Sequence, residues 1–175
     1  MMQEMNTCCF TGHRPQNFSF KFDETHPDCI RIKAVLKKCI NKLISDYDVV
    51  HFITGMALGV DIWAAEAVLS LKQEVPFITL ESALPCETQA VRWHQDSRER
   101  YYSILAQCDK ETMLQKHYTP SCMQTRNEYM VDNSDYVIAV WNGSGSGTGN
   151  TVKYALSKDR TVICINPTTA SVKKL

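Results

Sequence analysis

Short β-branched or apolar runs alternate with longer segments of helical periodicity along this chain, and that alternation constrains the fold more than any single residue. Strands separated by helix-length segments are not hairpin partners; they pair in parallel through helical crossovers. Strands are predicted at Thr7–Thr11, Val49–Thr54, Phe77–Leu80, Tyr136–Val140 and Thr161–Ile165, the last closing the sheet, with a weaker one at Lys110–Leu114. A helix from Asp28 carries Ile30, Ile32, Val35, Leu36, Ile40, Leu43 and Ile44 at helical spacing, with Lys33, Lys37, Lys38 and Lys42 filling the other face. Further helices are expected over about Val60–Leu71, over a long region from Glu87 to about Cys108, from Ser121 or Cys122 to about Asn133, and from Thr148 to about Ser157. The fold class is α/β, a three-layer sandwich with a mostly parallel central sheet flanked by helices.

The chain has 175 residues, 44% hydrophobic and 22% charged, which suits one domain over 1–175 with a core that needs no staple. No repeat or long linker interrupts it. Nineteen Lys and Arg balance nineteen Asp and Glu, so no global field favours nucleic acid or an anionic membrane, and nucleic acid is not an expected partner. No apolar stretch approaches the roughly twenty residues that span a bilayer, and Met1–Cys9 lacks the features of a secretory leader; a cytoplasmic protein is expected. The eight cysteines are scattered without a Cys-x-x-Cys pair and read as buried thiols, with Cys8 and Cys9 on opposite faces of one strand. Neither a metal nor a cofactor is expected.

Ligands of open parallel sheets sit beyond the carboxyl ends of the strands, where helix N-termini present free amides. Three turns there are unusual. Thr11-Gly12-His13-Arg14-Pro15 holds Arg14 between a glycine turn and Pro15 as an anion clamp, beside a histidine able to titrate near neutrality. Gly55 and Gly59 bracket the second turn, with Asp61 in the first turn of the next helix, either as a favourable carboxylate at the dipole or as an acceptor for ribose or base. The third, Asn142 to Thr151, is rich in Gly, Ser and Thr; the amides and hydroxyls of Gly145 to Thr148, including Gly147, together with Thr151, suit a phosphate. It is neither a Gly-Lys-Ser/Thr phosphate loop nor a Gly-x-Gly-x-x-Gly fingerprint. Arg126 and Asn127, within a predicted helix, offer a planar fork and an amide if they face the sheet end. Trp63 reads as core. No Gly-x-Ser-x-Gly elbow or His-Glu-x-x-His pair is present, so a hydrolase would rely on Asp61, Glu66 or Glu81.

Taken together, Thr11-Gly12-His13-Arg14-Pro15, Gly55-x-Ala57-x-Gly59-Val60-Asp61, Arg126-Asn127 before Asp132-Asn133-Ser134-Asp135, and Gly147-Thr148-Gly149-Asn150-Thr151 resemble the YpsA-like family of bacterial proteins in the SLOG superfamily. The resemblance runs from Cys8 to Pro167. It implies a Rossmann-like sandwich whose strand ends bind a nucleotide or nucleotide derivative. The turn Thr54 to Asp61 is similar to one in the single-stranded DNA-binding protein DprA, and Gly147-Thr148 to that of the LOG phosphoribohydrolases, whose helix also carries an Arg where Arg126 falls. Those enzymes place a glutamate three residues after the Gly-Thr threonine, and this chain has Thr151, so ligand binding is favoured over glycosidic hydrolysis. The expectation is a small nucleotide-type ligand, with N-glycosidic hydrolysis and single-strand binding as the alternatives, and the superfamily resemblance adds pairing of two copies.

Overall fold

A computed structural model describes residues 5–175; the start of the Met1–Cys9 segment lies outside them. Seven strands form one sheet: β1 (Asn6–Gly12), β2 (Val49–Thr54), β3 (Thr79–Leu84), β4 (Lys110–Met113), β5 (Tyr136–Val140), β6 (Thr161–Ile165) and β7 (Val172–Lys174). Their order across the sheet is β4-β3-β2-β1-β5-β6-β7. The first six are parallel and β7 runs antiparallel along β6. The chain builds outward from β1 in one direction, then returns to lay β5 on its other side. That reversal splays the loops after β1 and β5 apart and opens a crevice at the carboxyl edge.

Helices α1 (Pro27–Tyr47), α2 (Val60–Lys72) and α3 (Gln95–Leu105) lie on one side, α4 (Cys122–Asp132) and α5 (Gly147–Ser157) on the other. α1 starts where His26 accepts a hydrogen bond from the Asp28 amide with Pro27 at the first position, and it buries Cys29, Ile32, Leu36, Ile40 and Leu43 as one stripe. α2 is buried on almost every side, Trp63 included. Alternation along β1 sends Cys8 and Phe10 into the core beneath α1 and α2, and Cys9 into the smaller core beneath α4 and α5. Five of the cysteines are buried and three half-buried, all as free thiols. Among the described residues no helix is long and apolar enough to cross a membrane.

Three elements differ from the sequence reading. β3 begins at Thr79, because Phe77 sits on an exposed turn after Pro76, and the strand continues through Glu81 and Ser82, polar residues that an apolar-run criterion rejects. Glu87 to His94 is not helical: the Glu87 amide donates to the Lys116 carbonyl at 3.1 Å, and His94 caps α3 only afterwards. β6 does not close the sheet, since the exposed strand β7 adds to its edge.

Candidate functional site

The crevice at the strand reversal is a cavity of about 160 Å³. Gly12 comes to it from the end of β1, His13 and Arg14 from the loop that follows, Asp61 from α2, Arg126 and Asn127 from α4, and Gly147 and Thr148 from the start of α5. Segments up to about 135 positions apart thus converge on one cup. Gly55 lies just behind its wall: a Cβ there would stand 2.5 Å from Arg126 Nη1 and 2.8 Å from Asp61 Oδ2, so only glycine lets the two charged groups flank the backbone. Gly59 does not line the cup; its φ of +91° starts α2, with the His13 carbonyl and the Pro15 ring packed against it. Gly145 is exposed outside the cavity, and the buried Thr151 turns its hydroxyl onto the Gly147 carbonyl at 3.0 Å.

The donors of the cup are built locally. Ser146 caps α5 by accepting from the Gly149 amide at 3.1 Å, which leaves the amides of Gly147 and Thr148, at the positive end of the helix dipole, without intrahelical acceptors. Arg126 is only 3% exposed. Its Nε donates to Asn127 Oδ1 at 2.8 Å and its Nη1 donates to the Gly55 carbonyl, and it forms no ion pair among the described residues. Asp61 Oδ2 accepts from the Ala57 amide at 3.2 Å. Burial pushes the Asp61 pKa upward, opposed by the positive charges of Arg126 and Arg14 and by the Ala57 amide. Burial likewise pushes Arg126 downward, opposed by Asp61. Two guanidinium groups against one carboxylate leave the cup with excess positive charge, fitted to an anion.

His13 is not poised to titrate at neutrality: burial lowers its pKa, against a contact of 3.1 Å from Nε2 to Asn142 Oδ1. Glu81 is no substitute for the missing glutamate, because it points beneath α4, where it accepts from His51, Thr112 and Tyr129. Glu66 is held by Arg100, away from the cup. Sequence reasoning missed Asn17 and Met123, which also line the cavity. Met123 was findable, one helical turn before Arg126 and Asn127; Asn17, within a 3₁₀ turn after Pro15, carried no comparable signal. No group of three or more His, Cys, Asp or Glu able to hold a metal occurs among the described residues.

The model of the YspA SLOG family (YpsA) matches residues 8–166. The chain belongs to the YpsA SLOG family. Among its curated relatives, the SPbeta prophage-derived protein YoqJ of Bacillus subtilis is 34% identical, covering 74% of this chain and 83% of its own. A UPF0398 protein of Bacillus thuringiensis is 29% identical over 88% of this chain and 84% of its own. Among solved structures, DNA processing protein A (DprA) of Streptococcus pneumoniae superposes with a TM-score of 0.63 at 15% identity, covering 93% of this chain and 51% of that protein. The Helicobacter pylori DprA, described for its single-stranded DNA binding mode, gives 0.60 at 16% identity, with 96% and 68% coverage. This YpsA-family chain therefore spans about half of the streptococcal protein and shares its fold. The finding corrects the expectation that nucleic acid is not a partner. That expectation rested on net charge, a sum over the whole surface, whereas the H. pylori protein that shares this fold is one described as binding single-stranded DNA.

Proposed function

We propose that this protein binds a nucleotide-type ligand, its phosphate held in the cup by Arg126, Arg14 and the first amides of α5, with Asp61 addressing a ribose hydroxyl or base donor. The observation that carries the reading is Arg126. A guanidinium withdrawn from water without an ion pair is costly, and here it lines a polar cavity beside a helix N-terminus, so an incoming phosphate supplies the missing anion. Thr148 adds a hydroxyl to the same wall. Calorimetric titration of AMP, thymidine monophosphate and ADP-ribose tests it: saturable binding is expected, weakened at least tenfold in an Arg126→Ala, Thr148→Val double variant. Equal, negligible heats from both proteins would overturn it.

A second reading, single-stranded nucleic-acid binding, is favoured by the fold shared with the H. pylori protein. It predicts retarded mobility of short oligonucleotides with a steep dependence on salt, and no retardation at low salt would remove it. Bond cleavage is the least supported use of the cup, because Asp61 is the one carboxylate among the residues lining it, and Thr151 takes the place of the glutamate that the resemblance to the LOG enzymes calls for. Release of free base from nucleoside monophosphates, abolished by Asp61→Asn, would reverse that ranking.

A further inference from the structure

Beside the cup lies a larger cavity of about 540 Å³, between the loop after β3 and the loop after β4. Trp93 and Tyr118 bring aromatic rings to it, Arg92 a cation, and Gln89 and Met123 its inner wall. The backbone bond from Glu87 to Lys116 fixes one loop to the other. Tyr101 holds the Trp93 ring edge to face, with centroids 5.3 Å apart. Tyr118 is 62% exposed, and the exposed Arg92 forms no ion pair among the described residues.

Two contacts join this groove to the cup. Met123 lines both. The Gly55 carbonyl accepts from Arg126 Nη1 on the cup side and from Gln89 Nε2, at 3.0 Å, on the groove side. The cup follows the carboxyl ends of β1 and β5 and the groove those of β3 and β4, parallel strands of one sheet with β2 between them, so both open along one rim.

We infer that the groove stacks a nucleobase of a single-stranded oligonucleotide whose neighbouring phosphate occupies the cup. The inference rests on the phosphate reading above and lengthens the ligand to at least two nucleotide units. Aromatic faces accept any base, and a guanidinium beside them serves either the base or the linking phosphate. An apolar peptide would have no use for the free cation at the groove edge, and a lone mononucleotide would leave the groove empty. Tyr118 is exposed and Trp93 half-buried, and the groove is roomier than the cup, as a continuing strand requires.

Calorimetry at low salt with thymidine monophosphate, a thymidine tetranucleotide and an abasic strand of equal phosphate number tests the inference. The tetranucleotide is expected to bind at least tenfold more tightly than either other probe. Tyr118→Ala and Arg92→Ala, both at exposed positions, should together remove roughly tenfold of its affinity and leave the monophosphate unchanged; Trp93→Leu should have at least as large an effect. Arg126→Ala should weaken all three probes. An abasic strand that binds as well as the thymidine strand, or a Tyr118→Ala, Arg92→Ala protein that binds the tetranucleotide like the wild type, overturns the inference while monophosphate binding upholds the cup. Failure of the monophosphate itself to bind removes both.

Discussion

At Gly55 the whole site turns on a missing methyl group. A Cβ would intrude on Arg126 and Asp61 simultaneously, and neither can retreat: each is buried, and Arg126 is tied to the Gly55 carbonyl itself. Gly55→Ala is therefore expected to destabilise the protein by about 1–3 kcal/mol in urea unfolding and to weaken nucleotide binding more than tenfold. Gly145 provides the control. A Cβ there meets nothing within 4 Å, so Gly145→Ala should stay within about 0.5 kcal/mol of the wild type and bind normally. Both glycines belong to sequence patterns that announce a turn, yet a pattern cannot tell which glycine is there for close packing. The same limit applies to Arg126 and Thr151. The arginine was visible as a fork of unknown direction and the threonine as one more hydroxyl in a rich turn; only helix phase and capping set the first against the cavity and the second against a carbonyl.

Among the elements, β3 shows why strand limits were harder to read than the fold class. Helical periodicity and glycine turns revealed the parallel architecture, because they report on solvent-facing sides that vary little with context. A strand buried on both faces reports only its apolar content, and β3 carries Glu81 at its centre. That carboxylate is tolerated because His51, Tyr129 and Thr112 bond to it at 2.9, 2.6 and 2.7 Å, joining β2, β3, β4 and α4. Burial alone would raise its pKa, but these bonds bring it down from 4.5 to about 2. Because the folded value lies below the unfolded one, the stabilisation is complete above about pH 4.5 and is lost as the pH falls towards 2. Wild-type stability should thus decline by about 2–3 kcal/mol across that window from this group alone, and Glu81→Gln should be less stable at pH 7 and flatter below pH 5 in denaturant titrations. The cap of α5 gives a complementary case. Ser146→Ala is expected to cost about 1 kcal/mol and to loosen the first turn, lowering phosphate affinity severalfold in the same calorimetric assay.

On the scale of the molecule, the cup depends on a scaffold that lies outside it. Arg100 on α3 grips Glu66 on α2 at 2.6 and 2.7 Å and Glu24, in the loop before α1, at 2.7 and 3.0 Å. Glu24 also accepts from Trp63 at 2.9 Å and from Lys33 of α1. One carboxylate thereby fastens the loop between β1 and α1 to three helices. Within that loop Phe18 and Phe20 stack at 4.9 Å and pack on Trp63, and Phe18 meets the ring of His13 edge to face at 6.1 Å. The chain of contacts runs from α3 to the residue next to Arg14. Isolated surface ion pairs contribute little, but this one is a half-buried network with bidentate geometry, and severing it frees a segment rather than one side chain. Arg100→Leu is expected to cost about 1 kcal/mol, a fall of roughly 2–4 °C in Tm, and to speed trypsin cleavage after Lys21 in the released loop. Nucleotide affinity should fall by a few-fold because Arg14 loses its fixed position, although Arg100 lies outside the cup. Unchanged proteolysis at Lys21 alongside normal binding would mean that the loop is held by its phenylalanines alone and that the ion network is dispensable to the site.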